Sequence, residues 1–241
     1  MIIVLGNQKA GTTVIAALLA KYGGLSCILD IQPELRKRFF QQVLTGKMQF
    51  EEYLHIYKRV FQYEVVKDPN LTLLYPHLIT VFSKAKYVYI SRDPRDNIRS
   101  ILDRFGTSGK AEDVNWGQKN IPGSWRYVMN NQWLGCPHDQ YIEQLAWRWN
   151  RMTDTYLQNP NKMRLIRYED FCEDKAMQIK QLAEDLGVKE KEDISDKVNV
   201  QYQGYGRNRD KSWDQFYSQE NLQKIEEMCA EGMEKLGYLI Q

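Results

Sequence analysis

The chain opens on a continuous apolar, β-branched run, Met1-Ile2-Ile3-Val4-Leu5, which breaks into the polar stretch Gly6–Thr13. Beyond it Val14, Ile15, Leu18, Leu19 and Tyr22 recur at helical spacing, so the pattern reads strand, glycine-bounded loop, helix. The same alternation continues. Strand-type runs fall at 63–66, 86–91 and 163–167, with a further short apolar run at 25–29. Helical patterns run from Pro33 to about Leu44 and from about Gln49 to Gln62, broken at Gly46. Pro94 opens another, capped by Asp93, with Ile98, Ile101, Leu102 and Phe105 as its buried stripe; Ser100 lies off that stripe on the face of Asn97 and Arg104. Asp139 is placed to cap a long helix from Gln140 to about Gln158, an amphipathic helix ends at Gly187, and Ser218 caps a last one to about Leu236.

Strands alternating with helices predict one α/β domain over residues 1–241, with a mainly parallel central sheet flanked by helices on both faces. Ligands of such sheets bind beyond the carboxyl ends of the strands. Lys9, Lys67, Arg92 and Tyr168 each follow a predicted strand at that edge, so the pattern gathers them into one site.

Charge and composition narrow the picture. With 33 basic and 31 acidic residues the net charge is +2, so no global field argues for nucleic acid or a membrane surface, and any anion site must be local. Cys27, Cys136, Cys172 and Cys229 are far apart in sequence and match neither a zinc-ligand spacing nor a disulfide framework, which fits a reducing compartment. No window approaches the roughly 20 apolar residues of a membrane helix. A cytoplasmic protein with no membrane insertion is the expectation.

A loop running into a helix N-terminus turns several backbone N–H groups toward one point, where the positive end of the helix dipole also lies, and such a nest binds phosphate-like anions. A nucleotide-triphosphatase loop reads G-x-x-x-x-G-K-[ST]; here Thr12 follows Gly11 and Lys9 precedes it. A sulfuryl group carries less negative charge than a phosphoryl group. One lysine, two threonine hydroxyls and the loop amides therefore suffice in principle for its transfer without a metal. A second anion motif follows the 86–91 strand: Arg92-x-Pro94-x-Asp96-x-x-x-Ser100. Arginine suits a terminal phosphate because its planar fork donates two parallel hydrogen bonds, and Ser100 adds a hydroxyl. Paired to Asp93 and Asp96 on the surface, Arg92 and Arg95 would instead be structural.

Gln8-Lys9-Ala10-Gly11-Thr12-Thr13 resembles the 5′-phosphosulfate loop of the sulfotransferases that use 3′-phosphoadenosine 5′-phosphosulfate (PAPS), and Arg92 to Ser100 resembles their 3′-phosphate motif. The resemblance implies a P-loop-like fold, PAPS as sulfuryl donor and no metal. It places Lys9, Ala10, Gly11, Thr12 and Thr13 on the phosphosulfate, Arg92 and Ser100 on the 3′-phosphate, and Tyr168, from Tyr168-Glu169-Asp170, on the adenine. Lys67 in Lys67-Asp68-Pro69 matches the family's second lysine; Pro69 stands where one branch has its catalytic histidine. Weight then shifts to an acidic base, and Asp30 occupies the position at which another branch carries one, although an aspartate in a turn reads equally well there. The late basic segment Gly204–Trp213 resembles the loop that closes over the 3′-phosphate, making Arg207, Arg209 and Lys211 candidates within 201–216.

Residues 106–137 show little periodicity but carry Trp116, Trp125, Tyr127 and Trp133. A segment of this length reads either as an acceptor-binding lid or as an irregular packed layer. The expected acceptor is a hydroxyl, or an amine, on a small molecule, glycan, lipid or tyrosine. A P-loop kinase needing Mg²⁺ and a non-catalytic nucleotide- or glycan-binding relative are the other classes the sequence allows.

Overall fold

The computed structural model describes residues 1–110, 121, 123–200, 202, 208 and 210–239, with Leu35 described by its backbone alone. Strands β1 (Ile2–Gly6), β2 (Cys27–Leu29), β3 (Val65–Lys67), β4 (Lys86–Ser91) and β5 (Met163–Arg167) form a parallel sheet in the order β2-β3-β1-β4-β5. From β1 the chain passes to the edge strand β2, returns to β3 between the two, and then crosses to β4 and β5 on the other side of β1. The sheet therefore reverses its direction of growth at β1, whose carboxyl end is the topological switch point.

Alternation along β1 sorts its side chains between two cores. Ile2 and Val4 pack with Val65, Val88 and Ile90 under the helices Thr12–Gly23 and Lys175–Asp185. Ile3 and Leu5 face the opposite side, where Phe40, Phe50, Tyr53 and Leu78 come from the helices Phe39–Leu44, Phe50–Ile56 and Tyr75–Val81. A third core joins the helices Pro94–Asp103, Tyr141–Leu157 and Gln219–Lys235 through Ile98, Leu145, Trp149 and Ile225. Asp93 and Ser218 cap their helices as the sequence predicts, accepting from Arg95 N and Asn221 N.

Several boundaries differ from the sequence reading. The Pro33–Leu44 pattern is two helices, Glu34–Lys37 and Phe39–Leu44, parted where Arg38 turns left-handed with φ 53°. The pattern from Gln49 yields Phe50–Ile56 and a 3₁₀ turn at Val60–Gln62. Asp139 caps nothing: the helix begins at Tyr141 with Gln140 at its N-cap, and the Asp139 carboxylate accepts from Gln132 instead. Between 106 and 137 the described residues include a helix at Gly123–Met129 and a 3₁₀ turn at Gln132–Leu134.

Candidate functional site

Beyond the carboxyl ends of β1, β3 and β4 lies a cavity of about 920 Å³. Its wall includes Lys9, Gly11, Thr12, Thr13, Asp30, Lys67, Arg92, Ser100 and Tyr168, so nine of the residues singled out from sequence meet in one space. Ala10 does not line it; its side chain is buried in the core beneath the loop.

The loop between β1 and the Thr12–Gly23 helix is held from behind. Gly6 exchanges hydrogen bonds with Thr72 Oγ1, Gln8 N donates to Asn7 Oδ1, and Asn97 Nδ2 donates to the Gln8 carbonyl. Asn97 is fully buried in this role and does not share a ligand-facing surface with Ser100. Gly11, at the helix N-cap, has φ 91°, and a Cβ there would lie 2.3 Å from the Tyr168 ring. Only glycine permits both the conformation and the approach. Among the described residues no side chain caps this helix, and its first turn carries no acid, so its N-terminal amides keep their anion-attracting polarity.

Arg92 binds the loop to β4. Its Nη1 donates to the Lys9 carbonyl at 2.9 Å, and its guanidinium lies 4.6 Å from the Tyr168 ring centroid. Its Nε is buried without a hydrogen-bond partner among the described residues. Arg92 itself lines the cavity, where a guanidinium is able to donate to an anionic oxygen. Trp149 Nε1 holds the Arg92 carbonyl at 2.9 Å. The neighbouring pairs are structural: Arg95, 1% exposed, bonds Asp93 and Glu226, and Arg99 pairs with Asp96.

On the other side Lys67 Nζ stands 2.8 Å from Thr13 Oγ1 and 2.7 Å from Asp30 Oδ1. Asp68 Oδ2 accepts from Ile31 N, fixing the turn that carries Asp30, and burial raises the Asp68 carboxyl to about 6. Lys9 is lowered to about 8 by burial and by the charges of Arg104 and Arg92. Among the described residues the non-glycine positions with positive φ are Lys9, Asp30 and Arg38. Two line the cavity and the third carries its rim, so backbone strain is concentrated here.

The basic run Arg36-Lys37-Arg38, which by sequence alone is a solvated face, lies at that rim. Arg36 lines the cavity, and Arg38 crosses to the Gly123–Met129 helix, donating to Tyr127 Oη at 2.9 Å. Trp125 also lines the cavity, with Arg104 over its ring, whereas Trp133 packs on Phe40 and Tyr127; Trp116 falls outside the described residues. Arg207 and Arg209 fall outside them as well. Lys211 lies apart from the cavity, in a groove with Asp96 and Trp213, where its carbonyl accepts from Arg99. Asn208 bonds Asp103 on the cavity wall. None of His55, His77 and His138 reaches the cavity; His77 stacks on Phe50, and His138 sits 3.7 Å from Glu143.

The family model "Sulfotransferase domain" matches residues 1–227. The chain belongs to the sulfotransferase family. Among solved structures it is similar to a sulfotransferase from Alicyclobacillus acidocaldarius, with a TM-score of 0.54 and 14% identity over 99% of this chain and 96% of that one. It is also similar to the sulfotransferase domain of the curacin biosynthetic pathway (TM-score 0.53, 15% identity, 100% and 98% covered). The sulfotransferase domain of the Synechococcus PCC 7002 olefin synthase gives a TM-score of 0.52. No curated protein sequence matches. At these identities the structures speak for the fold, and the family model carries the membership.

Sequence reasoning missed several wall residues of this sulfotransferase. Gln8, Asn70 and Arg104 line the cavity, and Arg148 is buried behind it. Phe171, Cys172, Val198, Val200 and Tyr202 extend the wall beyond Tyr168. Gln8 had a signal, being inside the loop motif. So had Arg104, on the helix face of Ser100; Asn70, Phe171 and Cys172 lie within a few residues of Lys67 or Tyr168, whereas Arg148, Val198, Val200 and Tyr202 are brought in by elements remote in sequence. No helix among the described residues is long and apolar enough to cross a membrane.

Proposed function

We propose that this sulfotransferase moves the sulfuryl group of PAPS to a hydroxyl oxygen of a small-molecule or glycan acceptor. The observation that carries the reading is Arg92, which lines the cavity with Ser100 and is joined to the glycine loop through the Lys9 carbonyl. One bisphosphate nucleotide would span the loop and the Arg92–Ser100 motif. Lys9, Gly11, Thr12 and Thr13 would hold the phosphosulfate, Arg92 and Ser100 the 3′-phosphate, and Tyr168 the adenine. Trp125 and the Gly123–Met129 helix, within 106–137, would cover the acceptor, in one domain; Arg207 and Arg209 of the 201–216 segment expected over the cofactor lie outside the described residues.

When bound, PAPS supplies an activated sulfuryl group. The acceptor oxygen attacks sulfur in line, the new O–S bond forming as the bond to the 5′-phosphate oxygen breaks, and that oxygen leaves with the electron pair. Asp30 takes the acceptor proton. Lys9, the threonine hydroxyls and Lys67 stabilise the charge that develops on the leaving oxygen and the transferred group. Asp30 and Lys67 line one cavity with Lys9, which supports this division of roles.

Calorimetric titration with adenosine 3′,5′-bisphosphate (PAP), with ADP as control, tests the reading. Binding of PAP at least about tenfold tighter than ADP, lost in Arg92→Ala, is expected. Equal binding of the two, or binding of ADP alone with Mg²⁺, overturns it and returns the kinase reading.

A further inference from the structure

Behind the cavity Arg148 is 1% exposed and forms no ion pair among the described residues. Its Nη2 and Nε donate to Gln8 Oε1 at 2.9 and 3.3 Å, and its Nη1 donates to Asn131 Oδ1 at 3.0 Å and the Tyr127 carbonyl at 3.4 Å. A buried cation without a carboxylate is costly unless hydrogen bonds and function retain it.

Its chemistry dictates the direction of everything in front of it. A guanidinium only donates, so the Gln8 atom facing Arg148 must be the oxygen, and the amide nitrogen faces the other way. Gln8 Nε2 lies 3.1 Å from the Asn70 side chain. The Asn70 atom there must in turn be Oδ1. Asn70 Nδ2, which has no hydrogen bond among the described residues, is left as the end of the chain, and both amides line the cavity beside Lys67 and Asp30. Charge, rather than local sequence, thus sets the polarity of this wall.

We infer that Arg148, Gln8 and Asn70 form a one-way donor relay ending in an acceptor-recognition subsite at Asn70 Nδ2. The subsite takes a lone-pair oxygen of the acceptor, an ether, carbonyl or hydroxyl oxygen near the hydroxyl that is sulfated, and discriminates against an unadorned alkyl alcohol. Arg148 and Gln8 are positioning residues, and Asn70 is the specificity-determining one. The inference rests on the sulfotransferase reading above.

The test uses three series of primary alcohols of matched length: n-alkanols, methoxy-alkanols in which one CH₂ is replaced by oxygen, and methylamino-alkanols, which carry a cationic donor at that place. Transfer of ³⁵S from PAPS gives kcat/KM for each, with PAP affinity measured alongside. In the wild-type protein the best methoxy-alkanol should exceed its alkanol partner by about tenfold, and Asn70→Asp and Asn70→Ala should bring that ratio to about one, with PAP affinity unchanged within about threefold.

Gln8→Glu is the decisive variant. Its carboxylate pairs with Arg148 and turns a second oxygen toward Asn70, which must then reverse its amide and show Oδ1 to the cavity. The methylamino series should overtake the methoxy series, an inversion that a purely structural role would not produce. Thermal midpoints confirm that each variant is folded. Loss of PAP binding in the wild type sinks the sulfotransferase reading itself. Intact PAP binding with a methoxy-to-alkyl ratio near one, with no inversion in Gln8→Glu, or with no alcohol sulfated overturns the subsite alone.

Discussion

Lys67 Nζ lies 2.7 Å from Asp30 Oδ1, so the residue assigned to stabilise developing negative charge is ion-paired with the residue assigned to remove the acceptor proton. The lysine side chain is 3% exposed and the aspartate 35%, which leaves the acid reachable from the cavity and the cation held in place. If Asp30 is the base, Asp30→Asn should lower kcat by about 10²-fold or more while PAP affinity stays within about threefold. Steady-state rates with calorimetry decide it. An unchanged kcat would move the proton to another acceptor.

Lys9 is brought down to about 8 by burial first and then by Arg104 and Arg92. The useful form is the cation, whose proton leaves as pH rises through that value. The kcat/KM for PAPS should therefore fall above about pH 8 along a single ionisation, and Lys9→Arg, which stays charged, should remove that alkaline limb even if its rate is lower. A pH profile identical in the two proteins would detach the ionisation from Lys9.

Gly11→Ala tests the loop without touching a charge. The substitution strains φ 91° and drives a methyl into the Tyr168 ring. PAP affinity should fall by about 10²-fold or more, with a far smaller effect on the thermal midpoint, because the clash is relieved by displacing Tyr168 from the cavity wall. Retained affinity would mean that neither the loop conformation nor Tyr168 contributes to nucleotide binding.

Glu34 is 2% exposed, its Oε2 accepts from Phe40 N at 3.2 Å, and its Oε1 is buried without a hydrogen-bond partner among the described residues. Burial raises its carboxyl from 4.5 to about 7. Across that interval the folded chain keeps a proton that the unfolded chain has lost, so stability should decline as pH rises from about 4.5 to 7 and level off above. Glu34→Gln should remove this decline and be more stable at pH 8 by roughly 1–3 kcal/mol. Urea denaturation at several pH values measures it; equal slopes in both proteins would place the ionisation elsewhere.

What the sequence determined by itself was the part written in local pattern. The strand Ile2–Gly6, the glycine loop and the helix behind it follow from adjacent residues, because backbone conformation and hydrophobic period are short-range properties. So does the Arg92–Ser100 segment, where a strand end, a cap and a proline occur in order. The parallel architecture followed from the alternation of those elements, and the carboxyl-end rule was enough to place Lys9, Lys67, Arg92 and Tyr168 together.

The tertiary structure alone decided everything that depends on which distant side chains meet. Arg38 reads as surface charge until the Gly123–Met129 helix supplies Tyr127, and Arg148 reads as one position in an amphipathic helix until burial sets it behind Gln8. Asp30 and Asp68 both line the cavity, yet Asp30 is paired with Lys67 while both oxygens of Asp68 are taken by the backbone amides of Ile31 and Asn70. The physical reason is that a polar side chain's role is fixed by the partners and the solvent left to it after packing, and those come from elements far away in the chain.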